Sequence, residues 1–263
     1  MLKRQAITLL FGLTFSTATF ARLSVAPQFV LFDKSSPKVQ MVNVVNGSDT
    51  TKTFNIKLLH YKQNENGSYS EIEKEDENNK FIDDIIFFGP RRFTLEPKEA
   101  QTIKIQRKPK SDLATGEYRS HMLFQEAEAE EIATKETKTE TKGLSFKITA
   151  LYGVSIPVIM QIGDLFSTAS ISNIKLDQND KGTSINFDIN RTGTKSIRGD
   201  LSIKNGDEEI GILKGVSVFL SINKRNVSIP LKSGNTKETL KGKTLKIEYI
   251  SNGKVITSSD FTY

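Results

Sequence analysis

The sequence predicts an all-β protein made of two β-sandwich domains. Three observations support this prediction: apolar and polar residues alternate in short runs, turn-forming residues separate the runs, and no segment keeps a 3.6-residue period. The runs recur about every 8–15 residues, which favours antiparallel sandwiches over βαβ units. The pattern starts again after Gly163-Asp164. We therefore expect one domain over residues 22–162 and a second over residues 163–263.

The predicted strands of the first domain lie at 24–32, 39–45, 53–61, 92–95, 101–106, 117–124 and 144–156. Those of the second domain lie at 169–176, 183–190, 197–204, 215–220, 227–231, 244–250 and 254–261. Asn205-Gly206 and Asn252-Gly253 predict tight hairpins, because a type I′ turn needs positive φ at both central residues. Segment 71–84 is acidic and is predicted to be an exposed loop. Segment 125–143 is rich in Glu, Lys, Thr and Ala; it is predicted to be a mobile loop, with an exposed helix over part of it as the alternative.

The N-terminus has the pattern of an export signal. Lys3 and Arg4 precede an apolar run over residues 6–15, and small residues at Thr19 and Ala21 flank Phe20. The run is shorter than the roughly 20 residues that span a bilayer. We expect residues 1–21 to be a cleaved signal peptide, and the mature protein to lie in the periplasm without a stable membrane anchor.

The composition argues against most enzyme and metal chemistry. The chain has 263 residues, no cysteine and two histidines. Disulfides, thiolate nucleophiles and zinc fingers are therefore excluded, and a histidine-based metal site is disfavoured. No phosphate-binding loop, GxSxG elbow or HExxH motif occurs. We expect no catalytic residue, no metal and no cofactor.

The net charge of +6 does not indicate nucleic-acid binding. It comes from 37 Lys and Arg against 31 Asp and Glu. Two of the positive charges, Lys3 and Arg4, belong to the predicted signal peptide, and residues 22–162 hold 20 charges of each sign. Residues 163–263 hold 15 basic and 11 acidic residues, which are spread without a dense basic run.

Three stretches of the first domain carry a family resemblance. They read SVAPQFVLF at 24–32, GPRRFTLEP at 89–97 and GEYRSHMLF at 116–124, and YGVSIPV follows at 152–158. In this order and spacing they resemble the N-terminal domain of periplasmic pilus-assembly chaperones, over about residues 24–160. The second half resembles that family only in length and all-β pattern.

The resemblance implies two immunoglobulin-like domains in a boomerang arrangement, with a cleft between them. It also implies binding of incomplete fibre subunits, which are pilin-like sandwiches that lack one strand. Such a chaperone lends an edge strand to complete the subunit, a recognised form of β-strand addition. An outer-membrane usher is a further candidate partner.

The donor strand is expected at 144–156, the longest alternating run. At ~3.3 Å per residue, its 13 residues span roughly 43 Å, more than a small sandwich covers. We expect the N-terminal end to overhang and to offer its apolar side chains to the subunit. These residues are Leu144, Phe146, Ile148 and Ala150. An exposed apolar edge also favours self-association.

The resemblance further implies a basic pair that holds the carboxyl terminus of the subunit in the cleft. In this sequence Phe29 stands where the family has an arginine, and Tyr152 or Gly153 stands where it has a lysine. A buried carboxylate needs a cationic partner. The candidate substitutes are Arg22, Arg91, Arg92 and Lys147.

A second function stays open at this point. A secreted structural or adhesive immunoglobulin-like protein, itself a fibre component, has the same composition. Such a subunit would carry its free strand at the mature N-terminus. Here a strand pattern begins at Ser24, close to the predicted cleavage site, and the longest alternating run is internal. This favours the chaperone.

Overall fold

The computed structural model describes residues 23–109, 112–127 and 151–263. Its strands in the first half are β1 (Leu23–Ala26), β2 (Val30–Phe32), β3 (Val39–Asn46), β4 (Lys52–Leu59), β5 (Tyr61–Gln63), β6 (Tyr69–Glu71), β7 (Ile86–Gly89), β8 (Arg92–Leu95), β9 (Ala100–Arg107), β10 (Gly116–Glu126) and β11 (Gly153–Ile162). The second half has β12 (Ser167–Asn179), β13 (Gly182–Gly193), β14 (Ile197–Asn205), β15 (Glu208–Val218), β16 (Lys224–Pro230), α1 (Lys237–Leu240), β17 (Thr244–Ser251) and β18 (Lys254–Thr262). The all-β prediction is confirmed.

The first half is a sandwich of two sheets. One sheet has the order β1-β3-β9-β7 and the other the order β2-β11-β10-β4-β8. The chain changes sheet between β1 and β2 at the cis peptide Ala26-Pro27, and between β7 and β8 at the cis peptide Gly89-Pro90. The inward residues of both sheets pack into one apolar core, which includes Val42, Phe54, Ile103, Phe124 and Val158.

The second half is a smaller sandwich with a core of its own. Its sheets have the orders β12-β13-β16 and β15-β14-β17-β18. The core includes Ile185, Leu201, Ile229, Ile247 and Tyr249, and it shares no buried residue with the first core. Each half therefore buries its apolar side chains separately.

Several local predictions were wrong. A short hairpin, β5–β6, extends from the end of β4, and β7 lies within a stretch that was not predicted to form a strand. The 71–84 segment is not simply solvated, because Ile82 within it is buried in the first core, as is Ile85 just after it. β11 continues to Ile162, beyond the expected end at 156. The described residues contain one helix, α1, which has four residues. It is too short to cross a membrane.

Candidate functional site

Most of the predicted donor residues cannot be placed. Leu144, Phe146, Ile148 and Ala150 lie outside the described residues, as do Arg22 and Lys147. The described part of this segment starts at Leu151 and enters β11 at Gly153.

β11 has one backbone edge that is only partly paired. On one side it pairs with β10 along its whole length, from Gly153 opposite Gln125 to Ile162 opposite Gly116. On the other side β2 pairs with Val158–Met160 only. Among the described residues, nothing pairs with Gly153–Pro157 on that side. We call this stretch the open edge.

The hydrogen-bond pattern shows which residues face the open edge. The Glu126 amide donates to the Tyr152 carbonyl at 2.9 Å. Backbone groups of alternate residues in an antiparallel strand point to opposite sides, so those of Val154 and Ile156 face β10. Those of Gly153 and Ser155 and the carbonyl of Pro157 face outward. Proline has no N–H group, and at Pro157 none is required by β10.

The apolar face of β11 leaves the core at the same end. Val158 and Ile156 are 0% and 1% exposed, Val154 is partly buried against the core, and Tyr152 is 46% exposed. Beside Tyr152 a cavity of about 390 Å³ is lined by Leu23 and Phe54 among others. The sandwich therefore covers the apolar face of β11 at Val158 and Ile156 and leaves it exposed at Tyr152, just before the N-terminal end of the strand.

A cleft between the two halves adjoins the open edge. Its larger cavity, about 820 Å³, has walls from both halves, including Phe29, Leu31, Ile197 and Arg198. A second cavity of about 320 Å³ lies against residues 154–157. Tyr69, Arg198 and Phe219 form part of its opposite wall. A strand added to the open edge would run past these side chains.

Arg198 from the second half occupies the position next to Phe29. Its guanidinium carbon lies 4.8 Å from the centre of the Phe29 ring, a cation–π arrangement. No carboxylate of the described residues is within 4.0 Å of the Arg198 guanidinium. The family resemblance implies an arginine at position 29. This chain has Phe29 there, and the Phe29 ring contacts Arg198 from the other half.

Two further arginines make this region electropositive. Burial raises the pKa of the Tyr69 hydroxyl, and the charges of Arg119, Arg225 and Arg198 oppose that rise. Burial also lowers the pKa of Arg119 to about 10. Arg119 Nη1 and Arg225 Nε have no hydrogen-bond partner among the described residues. Tyr69, in the wall of the smaller cavity, therefore lies in the field of three arginines, of which Arg198 itself lines the cleft.

The other predicted anchors lie elsewhere. Arg92 is on β8, at the opposite edge of the sheet from β2, with three strands between them. At ~4.8 Å per strand the separation is about 19 Å. The Arg91 guanidinium lies over the Phe88 ring, 4.4 Å from its centre. The structure therefore does not bring Arg91 and Arg92 to the cleft.

Buried polar groups near the cleft have structural roles. His121 is 4% exposed, and its ring contacts Tyr61 and Tyr69 edge-on, both with centroids 5.2 Å apart. Burial, followed by the charge of Arg119, lowers the pKa of His121 to about 3. No group of His, Asp or Glu suited to a metal ion occurs among the described residues.

No family model and no curated protein matches this sequence. Among solved structures, the chain is similar to one described as a chaperone–tip adhesin complex in CFA/I fimbriae biogenesis (13% identity, 92% of this chain and 98% of that chain, TM-score 0.45). It is similar to the CsuC–CsuE chaperone–tip adhesion subunit complex of Acinetobacter baumannii (14% identity, 91% of this chain and 98% of that chain, TM-score 0.44). It is also similar to the CupB2 chaperone of Pseudomonas aeruginosa (8% identity, 91% of this chain and 99% of that chain, TM-score 0.44). At these identities the likeness concerns the fold alone.

Proposed function

We propose that this protein is a periplasmic chaperone that binds incomplete immunoglobulin-like fibre subunits. It stabilises them by lending an edge β-strand and delivers them for surface assembly. The observation that carries the proposal is the open edge of β11, which lies beside the cleft at the point where the apolar face of the strand leaves the core. A backbone edge with an apolar continuation can complete a sheet that lacks one strand.

The donated side chains in this proposal are Leu144, Phe146, Ile148 and Ala150. They share the sequence parity of Val154 and therefore the same face, if the strand continues toward its N-terminus. Burial of the three large side chains would contribute about 1.5–3 kcal/mol each before ordering costs. The domain boundary at 162/163 and the signal peptide over 1–21 belong to the same proposal.

Arg198 is our candidate for the group that holds the carboxyl terminus of the subunit. It lies in both cavities of the cleft, is supported by Phe29, and has no carboxylate partner among the described residues. A guanidinium can bind a carboxylate through two parallel hydrogen bonds. This proposal replaces Arg91 and Arg92, which lie away from the cleft.

The alternative, a fibre component, has less support. A fibre subunit would keep its mature N-terminal segment free for donation, whereas Leu23–Ala26 already pair with β3 along their whole length. We expect an outer-membrane usher as a second partner and weak self-association through the open edge. We expect no catalytic activity.

The test is co-purification of the full chain with its subunit from a periplasmic extract, followed by identification of the partner. We expect Phe146→Glu combined with Ile148→Glu to lose the partner and to keep the circular dichroism spectrum of the wild type. A matched control, Val255→Glu combined with Ile212→Glu, places the same charges on exposed apolar positions of the second sandwich that line neither cavity of the cleft. This control should retain the partner. Retention by the first variant would exclude the donor assignment.

A further inference from the structure

The β5–β6 hairpin leaves the first sandwich and reaches into the second. The Gln63 side chain is fully buried there. Its Oε1 accepts from the Phe219 amide at 2.9 Å, and its Nε2 donates to the Ser217 carbonyl at 3.1 Å. Its backbone amide donates to Ser221 Oγ at 3.1 Å. One side chain of the first half thus satisfies two backbone groups of the second half.

The tip of the hairpin makes a second set of contacts. The Asn226 amide donates to the Glu65 carbonyl at 2.7 Å, and Lys224 Nζ lies 3.2 Å from the Glu65 carboxylate. Gly67 at the turn has φ +83°, and a Cβ there would lie 2.8 Å from the Arg225 guanidinium. The positive φ favours glycine at this position, and the absence of a side chain leaves room for the Arg225 guanidinium.

Phe219 fills the space beneath the hairpin. It is 1% exposed and belongs to the second half. The centre of its ring nevertheless lies 4.0 Å from the guanidinium carbon of Arg119, a residue of β10 in the first half. Arg119 Nη2 also donates to the Tyr61 carbonyl at the start of the hairpin, at 2.7 Å. Stacking and hydrogen bonding therefore connect β10, the hairpin and the segment after β15.

We infer that the β5–β6 hairpin locks the two sandwiches into one rigid body, so that the cleft is formed before any partner binds. Gln63 is the positioning residue of this lock. Without its amide, the buried Phe219 N–H loses its acceptor, whereas the Ser217 carbonyl keeps its bond from Arg225 Nη1 at 2.7 Å. The loss of both bonds of Gln63 lets the two halves separate there. The inference goes beyond the proposed function, because it describes the chain without a subunit.

The experiment is a distance measurement between the halves by pulsed electron paramagnetic resonance. The sequence has no cysteine, so spin labels on Lys104→Cys and Lys254→Cys, both exposed sites, report one distance. We expect a single narrow distance in the free wild-type chain. Gln63→Ala should replace it with a broad distribution. Gln101→Ala is the matched control, because its amide bonds only to the neighbouring Thr102 carbonyl, and it should keep the narrow distance.

A broad distribution in the wild type, or a distribution in Gln63→Ala as narrow as in Gln101→Ala, would overturn the inference. If Gln63→Ala does not fold, Phe219→Leu decides the question, because it removes the ring beneath Arg119 and keeps an apolar side chain. We then expect broadening in that variant, and an unchanged distance would overturn the inference. None of these outcomes depends on subunit binding, so failure of the lock and failure of the proposed function are distinguishable.

Discussion

The two sandwiches differ in how they protect an edge strand. β18 is the last strand of its sheet and exposes Val255 and Ile256, but it also carries Lys254 and Asp260. The open edge of β11 has no charged residue between Gly153 and Pro157. Charged side chains on an edge discourage pairing with another chain, and their absence leaves the backbone groups available.

The difference indicates that exposure alone does not mark a binding edge. β18 exposes more apolar surface than residues 153–157 of β11, yet its charges oppose a partner strand. The open edge combines unpaired backbone groups, an uncharged sequence and an adjoining cleft. This combination supports β11, rather than β18, as the strand that pairs with a subunit.

Proline scanning of β11 should separate the edge from the fold. Ser155→Pro removes an N–H that faces outward, so we expect a small effect on stability and about a 100-fold loss of subunit affinity. Val154→Pro removes an N–H that faces β10, and we expect the free energy of unfolding to fall by about 1–3 kcal/mol, because a ladder hydrogen bond is lost and its acceptor is left unpaired. Urea unfolding and titration calorimetry with the purified subunit measure the two effects.

This prediction depends on the side of β11 to which each backbone N–H points. If Ser155→Pro destabilises the chain as much as Val154→Pro, both residues face β10 and the open edge is wrongly assigned. If Ser155→Pro binds the subunit with wild-type affinity, the edge is not the binding surface. Ser258→Pro on β18, whose N–H faces away from β17 by the same alternation, is the control on the other sandwich and should not change subunit affinity.

Buried His121 gives the first sandwich a histidine-based pH sensitivity that the second lacks, since both histidines of the chain are in the first half. Its pKa is lowered from 6.5 to about 3 by burial and by Arg119. The unfolded chain therefore takes up the proton first, and the stability held above pH 6.5 is lost as the pH falls toward 3. At pH 5 the loss from this group is about 2 kcal/mol.

Unfolding free energies measured between pH 7 and pH 5 test this expectation. His121→Leu should remove most of the decline, because the site then has nothing to protonate. His60→Gln is the control and should keep the decline, because His121 is still present. An equal decline in wild type and His121→Leu would assign the acid sensitivity to other groups.

Alternation predicted the strands whose inward residues form the cores. β3, β4, β9 and β14 fall within one or two residues of their expected ranges, because burial on one face imposes the period of two. The split of the first strand into β1 and β2 was not visible, since both pieces are apolar. Within β7, Ile86 and Phe88 face the core, so the intervening Phe87 faces outward and is 59% exposed.

The site was less predictable than the fold. The hairpin strands β5 and β6 are three residues each and mostly polar, so they carry no periodic signal. The burial of Gln63 depends on partners more than 150 residues away. Contact between Phe29 and Arg198 arises from the packing of one half on the other, which local sequence does not specify. The missing arginine at position 29 was the one signal that a substitute exists.

Loss of Arg198 should have a smaller effect than the proline substitutions in β11 or the protonation of His121. Arg198→Gln removes the cation at the cleft and keeps a polar side chain, and we expect about a tenfold loss of subunit affinity, or about 1.4 kcal/mol. The loss should shrink at high salt, because the guanidinium is partly exposed. Arg92→Gln, at the far edge of the same sheet as β2, is the matched control and should bind as the wild type does. Equal affinities for the Arg198 and Arg92 variants would mean that the carboxyl terminus of the subunit is held elsewhere, and the open edge of β11 would then supply the affinity without a charged anchor in the cleft.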